Sequence, residues 1–345
     1  MVPVTNRQGI PVMPCSEKRA RKMLEKGQAK AMWKNQIFYI QLLKNPSDSK
    51  YQDVTIGIDP GSKKEGITVA TDTKVVLNIT TEAVTHVKDV VETRKNLRRA
   101  RRNRNTPYRV CRFNRVIGNI PPSTKARWDQ KLRILSLLQK IIPITVLNVE
   151  DVSAVTKKGK RKWNKSFSPL EVGKQYFRES IKSKSLMLHE TQGFETKNQR
   201  DLRGFKKTKK KLENVWEAHC VDSHALCEIA TGTEIKPFKG MYTFENFCFS
   251  RRQLHVQNFS KGGLRKEYGR TVSLGIARGS LVTHRKFGLS HVGGSSKGRI
   301  SLHSLSGKRL TQSSKKEDLT VLTINKWRTQ FLPHVNVGVS LRKTR

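Results

Sequence analysis

The sequence predicts a mixed α/β core followed by a β-rich C-terminal part. Three observations carry that expectation. Three short β-rich runs within "VTIGIDPGSKKEGITVAT" and "KVVLNITTEAV" follow one another with Gly, Pro, Lys and Asp at the joins, as the strands of a meander do. A helical spacing of apolar residues, Leu132, Leu135, Leu138 and Ile142, then leads into a further strand-like run, "ITVLNVED". From about residue 241 onward, aromatic and β-branched residues alternate with Gly, Ser and Arg, which suits short strands.

In chain order, Ser16 is placed to cap a short basic helix that runs to about Lys26 and ends at Gly27. "QIFYIQLL" reads as a strand, and "NPSDSK" as a polar boundary. After the meander comes "ETRKNLRRARRNRNT", Glu92 to Thr106. Seven of the eleven residues from Arg94 to Arg104 are Lys or Arg, with no Pro or Gly among them. A helix there carries positive charge on nearly every face and has no apolar stripe to bury. Residues 152 to 215 are polar and basic, with "KKGKRKWNKS" and "KKTKKK" as the densest runs, so loops and a helix or two are expected. "WEAHCVDSHALCEIA" reads as a helix. No internal repeat stands out.

Charge narrows the function. The 345 residues hold 69 Lys and Arg against 27 Asp and Glu, a net charge of +42. Basic residues recur from Lys18 to Arg345, so no single tail holds the excess. A merely solvated charged face does not account for it, because such an excess opposes compaction unless a polyanion neutralises it. Nucleic acid is the expected partner, far ahead of an anionic membrane. No stretch approaches the roughly 20 apolar residues needed to span a bilayer. The N-terminus has no signal-like apolar region, so a cytoplasmic location is expected. Cys15, Cys111, Cys220, Cys227 and Cys248 form no short-spaced CxxC pair. They are expected to be reduced thiols rather than disulfides or a zinc ribbon.

In so basic a chain, carboxylates at the ends of apolar elements stand out. Asp59 ends a strand at Pro60-Gly61, Glu150 and Asp151 end "ITVLNVED", and His219 and Asp222 share a helical face at i, i+3. Each has a bland alternative: a turn-capping Asp, a surface charge at a strand end, an ordinary polar histidine. Taken together, two strands and a helix can supply the hard oxygen ligands of two divalent cations. Asp151 remains an alternative to Glu150, which is favoured, and His224 is a weaker candidate, toward another helical face.

"IGIDPGSKKEGITVA", "VLNVED" and "AHCVDSHAL", in that order, resemble the three split motifs of a RuvC-type nuclease with an RNase H-like fold. "RRARR", Arg98 to Arg102, resembles the RRxRR signature. "PVMP", Pro11 to Pro14, resembles the PLMP motif with Val12 in place of leucine. The chain as a whole, including "RRQLH" (251–255) and "GRISLHSLSGKRLTQ" (298–312), is similar to the IscB/IsrB group of transposon-encoded, RNA-guided nucleases. Between Asp151 and His219 lie 67 residues with one histidine, His189, and no cysteine. An inserted HNH nuclease needs paired histidines and an asparagine, so the resemblance is to IsrB, the branch lacking HNH.

This resemblance implies an omega-RNA-guided nickase that cuts the displaced, non-target strand of double-stranded DNA beside a short adjacent motif. It implies Asp59, Glu150 and Asp222 as ligands of two Mg²⁺ ions, for which Mn²⁺ would substitute. His219 would be a catalytic ligand-shell or proton-handling residue. The arginine run is expected to be the bridge helix, with Arg94, Arg98, Arg99, Arg101, Arg102 and Arg104 on guide-RNA phosphates. In the C-terminal part, Arg251, Arg252, Lys266, Arg285, Lys286, Lys308 and Arg309 are candidate nucleic-acid contacts, against the bland reading of a plain β-domain with a basic surface.

The expected organisation is a PLMP-like domain (1–50), RuvC parts at 51–92, 121–152 and 213–236, and the bridge helix with its linker (93–120). A basic linker region (153–212) and a β-rich domain for guide RNA and adjacent motif (237–345) complete it. The expected particle is a prokaryotic, monomeric ribonucleoprotein that is poorly behaved without its RNA. Rival readings are a guide-independent RuvC-like endonuclease, an inactive RNA-guided DNA-binding protein, and a TnpB-type nuclease, against which the missing CxxC pairs weigh.

Overall fold

Gly57 and Gly66 set the architecture of the core, because at both positions a helix lies directly on the strand backbone. A Cβ on Gly57 would fall 2.1 Å from the carbonyl oxygen of Ser223, and one on Gly66 would fall 1.7 Å from that of His219. Only glycine admits that approach. The computed structural model describes residues 1–46, 51–104, 120–153, 168–208, 210, 212–246, 257–258, 263–264, 272–325 and 327–333. It divides into two compact units, one of residues 1–29, 41–241 and 333–345, the other of residues 30–40 and 242–332.

The first unit opens with strands β1 (Val2–Thr5) and β2 (Pro11–Cys15), an antiparallel pair, and helix α1 (Glu17–Glu25). Ser16 caps α1 by accepting from the Arg19 amide at 3.3 Å, and Gly27 ends it at a φ of +63°. Strands β3 (Ala29–Lys34) and β4 (Ile37–Leu42) belong for the most part to the second unit, which takes residues 30–40. The core strands are β5 (Thr55–Asp59), β6 (Lys64–Ala70) and β7 (Val75–Glu82). Helix α2 (His86–Asn103) and helix α3 (Pro122–Leu138) follow, then β8 (Val146–Asp151). Helix α4 (Pro169–Lys182), β9 (Met187–Gln192), α5 (Gly193–Leu202) and α6 (Trp216–Thr231) complete it.

The core strands lie in the order β7-β6-β5-β8-β9. β5 pairs antiparallel with β6, and β6 with β7, while β8 is parallel to both β5 and β9. A meander of three strands extended by two parallel ones, with only the second strand reversed, is the RNase H-like arrangement. The fold is therefore the mixed α/β core that the sequence predicts. Strand β9 departs from the expectation of loops and helices between residues 152 and 215. Its segment "MLHETQ" is largely exposed on the outer edge of these five strands, so it carries no apolar alternation from which to read a strand.

Helix α6 buries twelve of its sixteen residues, and its polar groups are matched by the sheet. Thr68 Oγ1 lies 2.8 Å from Ser223 Oγ and donates to Asn78 Oδ1 at 2.9 Å. Asn148 donates to the Leu226 carbonyl at 2.8 Å and accepts from Thr191 at 2.9 Å. These bonds satisfy groups that would otherwise be costly to bury. Helices α3 and α4 pack together through Trp128 and Phe177, with ring centroids 4.8 Å apart. Gln130 and Lys131 of α3 reach Thr81 of β7 and Glu65 of β6, so α3 lies on the strand face opposite α6.

The second unit holds β10 (Met241–Asn246), β11 (Gln257–Asn258), β12 (Gly263–Leu264), β13 (Val272–Ser273) and β14 (Ile276–Ala277). Strands β15 (Leu281–His284), β16 (Gly288–Ser296), β17 (Arg299–His303), β18 (Arg309–Ser314), β19 (Leu319–Thr323) and β20 (Trp327–Leu332) follow. Five of them form an antiparallel sheet in the order β18-β17-β16-β15-β19, with Ile276, Val282, Val292, Ile300 and Leu302 as its core. This is the expected β-rich C-terminal part. Among the described residues no helix is long and apolar enough to cross a membrane. Cys15, Cys220 and Cys227 are free thiols, while Cys111 and Cys248 lie outside the described residues.

Candidate carboxylate centre

Strand register brings the carboxylates together. Side chains on a strand alternate between its two faces. Gly57 and Asn148 are register partners on β5 and β8, and both face α6. Two residues on, Asp59 and Glu150 therefore stand side by side on that same face, where α6 carries Asp222. Asp151 faces the other way. It accepts from Lys174 of α4 at 2.6 Å and from Gln192 at 2.9 Å. The choice between Glu150 and Asp151 that the sequence leaves open is thus a matter of strand parity, and parity puts Glu150 beside Asp59.

The three carboxylates feel one another. Glu150 is pushed up to about 7 by burial first, then by the charge of Asp59, a hydrogen bond with it, and the charge of Asp222. Burial likewise raises Asp59, opposed by Lys207 and reinforced by Asp222. Gly193 opens α5 beside this group, and a Cβ there would stand 3.2 Å from Glu150 Oε1. Two cations enter the cluster. Arg200 Nη1 donates to Asp222 Oδ1 at 2.8 Å. The Lys207 ammonium donates to Asp222 Oδ2 and lies 3.8 Å from Asp59 Oδ2.

His219 is buried on α6, and its Nε2 lies 2.8 Å from the carbonyl oxygen of Glu213. The ring is thus engaged with backbone, and the structure does not bring it to a carboxylate. Burial lowers its pKa. His224 is fully buried, edge-on to Phe205 and Trp216, with Nε2 3.4 Å from Glu228 Oε1. That environment is structural, since Glu228 also accepts from Gln199, Arg203 and the Ile235 amide.

Helix α2 has no buried residue. Arg94 is half-buried, and Arg98, Arg99, Arg101, Arg102 and Arg104 are exposed. In the second unit, Arg285, Lys286, Lys308 and Arg309 are exposed. The turn from β15 to β16 carries the first two, and the turn from β17 to β18 carries Lys308 with Arg309 opening β18; in an antiparallel meander these turns lie at one end of the sheet. Arg251, Arg252 and Lys266 lie outside the described residues.

Among the described residues, no group of three or more His, Cys, Asp or Glu side chains is gathered closely enough to hold a metal ion as it stands. The donor set nevertheless fits a hard divalent cation, because carboxylate oxygens from three elements converge and an ammonium already bridges two of them. Nothing in the sequence hints at Lys207 or Arg200. Lys207 is one of five lysines in "KKTKKK", and no feature of that run marks which of them turns inward.

No curated protein matches the chain. Among solved structures it is similar to T. thermophilus RuvC in complex with a Holliday junction substrate, at 13% identity and a TM-score of 0.29, over 53% of this chain and 98% of that one. A second Thermus thermophilus RuvC structure is similar at 12% identity and a TM-score of 0.28, over 52% and 97%. Scores of this size leave the fold resting on the strand order and register above. Residues 2–165, which run from β1 past β8 and include Arg98–Arg102, match the model of the RRXRR protein family.

Proposed function

We propose that this chain is an RNA-guided DNA endonuclease of the IsrB type, nicking the displaced, non-target strand beside a short adjacent motif. The observation that carries the reading is the meeting of Asp59, Glu150 and Asp222 from two parallel strands and a buried helix, in a chain of net charge +42. The likeness of residues 2–165 to the RRXRR family supports it. Asp59, Glu150 and Asp222 would hold two Mg²⁺ ions. Bound there, such ions supply an activated water and stabilise the leaving oxygen of a phosphodiester.

The chain's own residues do the rest. His219 projects from the same helical face as Asp222, and burial favours its neutral form, which can accept a proton. With Nε2 donating to the Glu213 carbonyl, the nitrogen free to take that proton is Nδ1. Helix α2, with nothing to bury, presents planar guanidinium groups to guide-RNA phosphates. The basic turns of the second unit are suited to guide RNA and the adjacent motif. The working particle would be a monomeric ribonucleoprotein in a prokaryotic cytoplasm, nucleoid-associated when bound to DNA.

The test is to purify the chain from cells carrying its native flanking DNA and to sequence the RNA that survives moderate salt. One discrete, long species with a variable end supports the guided reading. A random smear, or none, returns the chain to a guide-independent nuclease.

A further inference from the structure

The segment between α5 and α6 delivers one side chain into the carboxylate centre and is fastened on both sides of it. Phe205 packs edge-on against Trp216 at 5.6 Å and His224 at 5.4 Å, and its amide donates to the Arg200 carbonyl at 3.0 Å. The Thr208 amide donates to the Glu217 carbonyl at 3.1 Å. Between these anchors Lys207 has its ammonium on Asp222 and near Asp59. Its side chain is 34% exposed, whereas that of Asp222 is 7% exposed. A surface lysine wandering toward any acid would have neither anchor. The aromatic seat of Phe205 and the Thr208 bond fix the register that turns residue 207 inward.

The charges give this placement a purpose. Three carboxylates facing one another repel unless a cation stands among them. Resting on the two-metal reading above, we propose that Lys207 is a built-in counter-cation of the carboxylate centre, seated between Asp59 and Asp222 until a divalent ion displaces it. Asp222 has both oxygens engaged, one by Arg200 and one by Lys207. Arg200 belongs to a helix packed on α6, while Lys207 lies outside any helix or strand. The ammonium is therefore the partner that gives way.

The experiment uses Fe²⁺ as the probe on the full chain with its bound RNA, at pH 8. With ascorbate and peroxide, Fe²⁺ in the site cuts the backbone near Asp59, Glu150 and Asp222, and the fragments are read against Fe²⁺ concentration. The expected result for Lys207→Met is half-maximal cutting at about tenfold lower Fe²⁺, since a competing charge has gone. Lys207→Gln serves if the first variant melts early, and Lys207→Arg, which keeps a cation, stays close to wild type. Equal half-maximal Fe²⁺ in wild type and both neutral variants, with cutting still lost in Asp59→Asn, would overturn the role of Lys207 and leave the metal site standing. Absence of site-directed cutting in every form would overturn the metal site, and the role of Lys207 with it.

Discussion

Asp59 and Glu150 stand side by side where the parallel strands β5 and β8 end, and burial raises both carboxyls, Glu150 to about 7. Burial is the largest cause, and the Asp59 charge adds to it. Replacing Asp59 by Asn therefore lowers the Glu150 pKa, yet leaves it above the ordinary 4.5 because the burial remains. A carboxyl carbon NMR titration of metal-free protein reads this directly. An unchanged value would mean that the two groups do not feel each other.

Loss of a proposed metal ligand should remove chemistry and spare recognition. Asp59→Ala is expected to slow nicking about 100-fold or more, as befits losing several kcal/mol of transition-state stabilisation. Guide-directed DNA binding, followed by gel shift, should stay within a few-fold of wild type. Normal nicking by this variant would remove Asp59 from the centre.

The two close-packed glycines make a steric prediction. Gly57→Ala must push α6 away from β5, at a cost of about 2–3 kcal/mol in stability, and α6 carries Asp222. Nicking falls along with the melting temperature, although no charged group has been touched. A variant as stable as wild type would mean that α6 does not approach β5 as described.

Glu228 yields a pH prediction away from the metal ligands. Burial alone would raise its carboxyl, but His224, Gln199 and the Ile235 amide together outweigh that and hold it below the ordinary value. A carboxylate lowered in this way contributes stability above its unfolded pKa and loses it as the pH falls through the folded one. Glu228→Gln should therefore melt earlier at pH 7, by the equivalent of about 2 kcal/mol. Its deficit should shrink as the pH drops below 4.5, the ordinary glutamate value. A deficit constant from pH 7 to pH 3 would contradict the assignment.

The arginines of α2 predict a salt effect. Changing Arg98, Arg99, Arg101 and Arg102 to Ala should weaken RNA binding. It should also flatten the dependence of log K on log salt, by about 0.7 to 0.9 for each phosphate no longer neutralised. An unchanged slope would count against the helix as an RNA-binding element.

Much of the core is legible in the sequence because its signals are local. Ser16 caps α1, β-branched runs become β5 to β8, and the apolar spacing from Leu132 becomes α3. The edge strand β9 is not legible, since a strand with little to bury needs no apolar pattern. In the candidate site, Asp59, Glu150 and Asp222 stand out as acids in apolar settings. What brings Glu150 rather than Asp151 to Asp59 is the pairing of β5 with β8 across some ninety residues, which no local pattern records. Lys207 is hidden for a different reason: the aromatic seat of Phe205 selects it, and that seat exists only when α5 and α6 are folded.

Guided nicking is tested most directly by a strand-resolved assay with the purified ribonucleoprotein and Mg²⁺ on a plasmid matching the guide of its own bound RNA. A single nick is expected in the strand not paired with the guide, absent on a mismatched plasmid and absent with Asp59→Ala. Cutting of both strands, or equal cutting of matched and mismatched plasmids, would contradict the proposed function.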